Sequence, residues 1–163
     1  MALPRTQVLG LIAWFAISFV AAAIGSIASL HAGEFYAHLV RPVWAPPGWL
    51  FGPVWTVLYA LMAIAAWLVW RTNRSQATQC ALRLFLIQLA LNALWSWLFF
   101  SWHLGAFAFM DILILWAMII GTLIAFRRIR PLAGALLLPY LMWVSFAVGL
   151  NYAVWQLNPQ LLG

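Results

Sequence analysis

Two carboxamides and a set of aromatic rings stand at helical spacing in this chain. Asn92, Trp95 and Phe99 fall at i, i+3 and i+7, one stripe of a helix. Tyr140, Trp143, Ala147 and Asn151 form a second stripe, and Trp55 and Tyr59 lie one turn apart on a third segment. Indole, phenol and phenyl faces stack on flat π surfaces, and an amide or indole N–H meets a carbonyl or carboxylate edge. If the stripes converge, they line an apolar pocket with few polar groups, the usual build of a site for a fused-ring ligand. Other chemistries find little support. No nucleophile–base pair is evident, and Cys80 is the single cysteine, which excludes an intrachain disulfide and a thiolate cluster. His31, His38 and His103 make no i, i+4 pair and read as solvated histidines ahead of haem or metal ligands.

The elements that must position these residues are membrane helices. Hydrophobic residues make up 67% of the 163 positions and charged ones only 6%, against about a quarter charged in a soluble domain. So few charges cannot cover a water-facing surface, and lipid must be the solvent for most of the chain. All eight basic residues are arginines at segment ends, with no basic face of the kind nucleic acid requires. Five apolar runs, about 7–30, 47–70, 79–100, 105–126 and 132–157, each match the ~20 residues that cross a bilayer core. They are continuously apolar and not alternating, which favours helices over barrel strands. The expectation is a single all-α domain, a five-transmembrane-helix bundle. The first run is too long for the roughly 7–15-residue core of a cleaved signal and is read as a span.

Short connections at 71–78, 101–104 and 127–131 make neighbouring helices antiparallel. The exception, 31–45, is read as an ordered, functional first loop, because connections of that length in compact folds carry function or are disordered. It leads into a proline-stiffened junction in which Trp44, Trp49 and Trp55 cluster and Pro46 and Pro47 open a helix. Rigidity plus indoles suggests a preformed lid. Arg5, Arg71, Arg74, Arg127, Arg128 and Arg130 share one side and Arg41 the other, which places the amino terminus in the cytoplasm and the first loop and carboxy terminus outside. Glu34 and Arg41 are candidates to pair within the lid. Asp111, the one acid within a span, is expected to make a structural hydrogen bond. Ala21, Gly25 and Ser29, and likewise Gly121 and Ala125, repeat every four residues as close-packing faces. Trp14, Trp67, Trp70, Trp102, Trp116 and Trp155 read as anchors or packing.

Three motifs carry a resemblance. The junction Trp44-Ala-Pro-Pro-Gly-Trp49-Leu-Phe-Gly-Pro-Val-Trp55-Thr-Val-Leu-Tyr59, the segment Gln88-Leu-Ala-Leu-Asn92-Ala-Leu-Trp95, and the segment from Pro139 through Trp143 and Asn151 to Trp155 together resemble the translocator protein family, also called tryptophan-rich sensory proteins. The resemblance implies a bundle with a cavity opening toward the first loop. It implies binding of porphyrins (protoporphyrin IX or haem) as ligand with no obligatory cofactor, of sterols, and of isoquinoline carboxamides and benzodiazepines, and a homodimer. By the same resemblance Trp55 and Trp143 flank the ligand, Asn92 is its polar contact, Tyr36 closes over it, Pro46 and Phe51 line the upper wall, Tyr59 holds an aromatic position, and Ala147 is a small residue that tunes affinity. With Trp95 and Phe99 from the helical stripe, these form the expected ligand-binding set. Asn92 serves equally well as a bond to a neighbouring helix. The sterol motif some members carry is incomplete here, since no basic residue follows Tyr152 within five positions, which favours a porphyrin. The expected function is a membrane binding protein or sensor for porphyrins that contributes to tetrapyrrole or sterol transport and regulation. The alternative is an enzyme degrading porphyrin oxidatively or photo-oxidatively, with Trp55 and Trp143 as redox or positioning residues. A true transporter is disfavoured, because internal repeats and buried charges are not evident.

Overall fold

The structure is a computed structural model and describes residues 4–72 and 75–163. Arg74, one of the arginines assigned to the cytoplasmic side, lies outside the described residues. The chain is all-α, and among the described residues five helices are long and apolar enough to cross a membrane. They are α1 (Arg5–Ala28), α3 (Phe51–Trp70), α4 (Gln76–Ser96), α5 (Gly105–Ile129) and α7 (Leu138–Leu157). Short helices α2 (Ala32–His38), α6 (Pro131–Leu136) and α8 (Pro159–Leu162) complete the set.

Two of the expected spans are less regular than their sequence pattern. The fifth is broken at Leu137 into α6 and α7. Pro139 sits in the first turn of α7, where its missing N–H costs nothing. Gly134 lets α6 pack on the end of α5, since a Cβ there would lie 2.6 Å from Arg127 Cβ. The third span ends in a π-helical turn, Trp97–Ser101. Its wider winding shows in bonds from Trp102 N–H to Trp97 O and from Leu104 N–H to Leu98 O, both 2.8 Å. The first loop is likewise more ordered than a plain connection, because 32–38 is the helix α2. Pro47 then leads through a 3₁₀ turn, Gly48–Leu50, into α3.

The spans close into a ring: α1 packs on α3 and α4, α4 on α5, α5 on α6 and α7, and α6 back on α3. The two ends of the ring differ. At the end away from the first loop, Met62, Phe85, Ile119, Phe126 and Leu137 fill the centre with almost no exposed surface. Gly10 there meets Trp70 so closely that a Cβ would overlap the ring, and Trp67 Nε1–H bonds Gln7 O at 2.9 Å. Trp14, Trp67 and Trp70 are thus packing residues. α3 packs on α6 at that closed end but barely touches α7 beyond it, so the ring opens toward the loop. The outward faces carry Leu9, Ile12, Val20, Ile27, Met110 and Met142, all exposed, as a bilayer-facing surface must be.

Candidate functional site

A cavity of about 640 Å³ fills the opened half of the ring. Every span contributes to its wall. Phe19, Gly25 and Ser29 come from α1, Phe51, Trp55 and Tyr59 from α3, and Asn92 and Trp95 from α4. Ile112 and Leu115 come from α5, and Trp143, Val144 and Ala147 from α7. Tyr36 of α2 and Phe100 of the π turn line it near the loop.

The rings form two groups. Tyr36 meets Phe51 edge-on with centroids 5.5 Å apart, and Phe51 meets Trp143 at 5.9 Å. Trp55 lies 5.7 Å from Tyr59 and 6.1 Å from Tyr140. Edge-to-face packing of this kind holds each ring through its neighbours' quadrupoles, so the wall is preformed.

Its polar groups fall into two kinds. Asn92 ties three helices: Tyr59 O–H donates to Asn92 Oδ1 at 2.7 Å, and Asn92 Nδ2 donates to Tyr140 Oη at 2.8 Å. The Trp95 indole N–H is likewise spent, on Asn151 Oδ1 at 2.8 Å, so Trp95 offers the cavity a ring face. In contrast, neither Trp55 nor Trp143 donates its indole N–H to any described residue, and both line the cavity. Together with the Ser96 hydroxyl, which also lines the cavity, they are polar groups without a partner among the described residues.

Of the residues singled out by sequence, Tyr36, Phe51, Trp55, Tyr59, Asn92, Trp95, Trp143 and Ala147 line the cavity together. Two do not. Phe99 lies behind Trp95, its ring stacked on the indole at 5.2 Å, in a buried cluster with Leu150 and Val154. The π turn shifts the register after Trp97, so Phe100 takes the place that straight helical spacing gives to Phe99. Pro46 lines a separate, shallower hollow of about 450 Å³ in the loop, with Arg41 and Pro47. Its carbonyl accepts the Tyr36 O–H at 3.1 Å, so it holds the cap and does not form the wall. Sequence reasoning missed Phe19, Phe100, Ile112 and Leu115. Only Phe19 left a signal, as an aromatic one turn before the small residues of α1.

The cap differs from expectation in one contact. Arg41 does not pair with Glu34; its guanidinium lies over the Tyr36 ring, 4.7 Å from the centroid. Burial pushes the Tyr36 phenol above its ordinary range, with Arg41 pulling the other way. Asp111 is also corrected. It is only 6% exposed, yet its Oδ2 is buried without a hydrogen-bond partner among the described residues. The three histidines are exposed. His38 Nδ1 lies 2.7 Å from Glu34 O, and His103, at φ 56°, rests on Phe35 with ring centroids 4.3 Å apart.

Comparison with known proteins agrees with this architecture. Residues 13–156 match the sequence profile of a family described as the TspO/MBR family. Tryptophan-rich protein TspO of Chlorobaculum tepidum is 44% identical over 129 residues, covering 78% of this chain and 82% of its own. Translocator protein of Homo sapiens is 39% identical over 127 residues, 77% of this chain and 75% of its own. Tryptophan-rich sensory protein of Cereibacter sphaeroides is 37% identical over 131 residues, 80% of this chain and 81% of its own.

Proposed function

The chain belongs to the TspO/MBR family of membrane proteins, and from that premise we propose that it is a porphyrin-binding protein whose site is the cavity beneath the first loop. One observation carries the reading: a wall of Trp55, Trp95, Trp143, Phe51 and Tyr36 encloses about 640 Å³, within the roughly 300–1,000 Å³ of ligand pockets. A flat tetrapyrrole offers π surface to those rings. Its carboxylate or carbonyl edges meet the free indole N–H groups of Trp55 and Trp143. Burial of the macrocycle's apolar face supplies the affinity, at about 25 cal/mol per Å² removed from water or lipid headgroup.

The mechanism is one of binding. Tyr36 and the segment that follows it cover the cavity, and the Asn92 tie fixes the distance between α3, α4 and α7. Those two features keep the slot open when empty, so little ordering cost falls on the ligand. Two relatives carry the names translocator protein and tryptophan-rich sensory protein, which are compatible with a protein that holds and releases a ligand. By the positive-inside rule, the arginines at the end opposite the cap favour a cytoplasmic position for that end and an outward-facing cap.

Titration of the purified protein with protoporphyrin IX, read by quenching of tryptophan fluorescence, tests the reading. Saturable binding is expected, with roughly tenfold weaker affinity in Trp143→Ala and Trp55→Ala, about the 1.4 kcal/mol of one lost stacking contact. Trp116→Ala, whose indole bonds Ser145 on the outer surface, serves as control and keeps wild-type affinity. Equal affinity in all four proteins refutes the assignment.

A further inference from the structure

One side chain at the end of α7 holds the cap. Asn158 is 5% exposed and spends its amide entirely on backbone groups. Its Oδ1 accepts from Val40 N–H at 2.8 Å, and its Nδ2 donates to Val40 O at 2.8 Å and to Val154 O at 2.7 Å. The bond to Val154 closes the last turn of α7, as a capping asparagine does. The pair to Val40 is not needed for that. It joins one amide to both polar groups of a single residue 118 positions away, in the manner of a one-residue strand pairing.

Val40 begins the strap that runs from α2 to the 3₁₀ turn. At the far end of the strap the Tyr36 O–H bonds Pro46 O at 3.1 Å. Besides these two ties, Leu50 N–H bonds Pro47 O at 3.1 Å where the strap enters the 3₁₀ turn, and Ala45 N–H to Pro42 O is internal to the strap. Between the two ties Val43 is fully exposed and Trp44 about half exposed. Beneath the Asn158 end, Leu39 and Tyr36 share a buried cluster with Leu150, Val154 and Leu162. The strap is therefore a bridge hydrogen-bonded near both ends, with the Trp44 ring resting edge-on against Phe146 of α7 between them, centroids 5.7 Å apart.

We infer that Asn158 is the latch of the cavity: a positioning residue that touches no ligand but sets how readily the cap lifts, and hence how fast a ligand enters and leaves. The inference rests on the reading of the cavity as a ligand site. Lifting the strap breaks both Val40 bonds at once, because they share one side chain. Tyr36, which lines the cavity, sits only four residues before Val40 and moves with it. The latch is specific to the closed state, since a lifted strap leaves Asn158 free to keep only its Val154 bond.

Amide hydrogen exchange in lipid nanodiscs, compared between wild type, Asn158→Ala and Asn158→Asp, tests the latch without any ligand. Asn158→Ala is expected to speed exchange across residues 39–47 by about tenfold, the effect of two modest hydrogen bonds, with α3 and α4 unchanged. Asn158→Asp keeps the acceptor for Val40 N–H but turns a carboxylate oxygen toward Val40 O and Val154 O in place of a donor, and is expected to speed exchange at least as much as alanine. It also carries the test should the alanine variant not fold. Stopped-flow mixing with protoporphyrin IX is then expected to show entry and release accelerated together by about tenfold, with the dissociation constant within about twofold of wild type. A merely structural defect would lower affinity or stoichiometry instead. Unchanged exchange at 39–47 in the folded variants overturns the latch. So does faster exchange with unchanged porphyrin release. If wild-type protein binds no porphyrin, the functional reading fails by itself, and the exchange comparison still decides the latch.

Discussion

Replacing Asn92 with leucine should loosen the bundle by an amount that can be worked from its contacts. The side chain is 5% exposed, and its partners Tyr59 and Tyr140 are 5% and 0% exposed. Leucine keeps most of the volume, so little cavity forms. What is lost is the bond from Tyr59 O–H and the bond to Tyr140 Oη. Within membranes each such bond contributes about 0.6–1.5 kcal/mol. The Tyr59 hydroxyl borders the cavity and can be solvated there, whereas Tyr140 has no accessible surface, and stranding its hydroxyl adds a further ~1–3 kcal/mol. The expected loss is about 2–6 kcal/mol. Reversible unfolding in mixed detergent micelles, followed by circular dichroism, measures it. A double-mutant cycle with Tyr140→Phe isolates the Asn92–Tyr140 coupling, expected at roughly 1 kcal/mol. If Asn92→Leu matches wild type to within about 0.5 kcal/mol, Asn92 does not tie the helices, and its place in the structure serves the ligand alone.

Three further outcomes follow from the same contacts. Gly134→Ala places a methyl 2.6 Å from Arg127 Cβ and should cost about 1–3 kcal/mol by overpacking, read in the same unfolding assay; a neutral result would mean that α6 is free to shift. Trp95→Phe keeps the ring face but removes the donor to Asn151 Oδ1. Because Asn151 Nδ2 already lacks a partner, the buried amide is left wholly unsatisfied, for a loss of about 1–3 kcal/mol; equal stability would show that another group takes the place of the indole. The Tyr36 phenol titrates above its ordinary value through burial, so its folded form favours the proton. Its contribution to cap closure is complete below the ordinary tyrosine value of about 10 and is lost as pH rises through the higher folded value. Porphyrin release should therefore be flat from about pH 6 to about pH 10 and accelerate only above that, and an acceleration near neutrality would contradict it.

Much of this architecture was readable from composition and spacing, because a lipid solvent leaves few choices. An apolar run of span length must be a helix, and short connections must turn it back. The stripes of α3, α4 and α7 were readable as shared faces from helical period, whereas only the family resemblance pointed Trp55, Asn92 and Trp143 inward. The site faltered where local geometry departed from that period. The π turn at Trp97–Ser101 has no composition signal, and it exchanged Phe100 for Phe99 at the wall. The family resemblance puts Pro46 in the wall, yet its carbonyl, which accepts the Tyr36 O–H, is what the fold uses. Ile112 and Leu115 of α5 carried no mark to distinguish them from other aliphatic residues in an apolar helix. The clamp between Asn158 and Val40 spans the length of the chain, and no local pattern announces such a pair.

The central claim is that ligand occupies the void between the helices. Filling it is the most direct test. Ala147 lines the cavity, while Gly149, two residues on, has nothing within 4 Å of a built Cβ. Protoporphyrin IX titration of Ala147→Trp should show affinity reduced at least about tenfold, and Gly149→Trp should bind as wild type to within about twofold. Wild-type affinity in Ala147→Trp, with the fold intact, would place the porphyrin elsewhere and contradict the account.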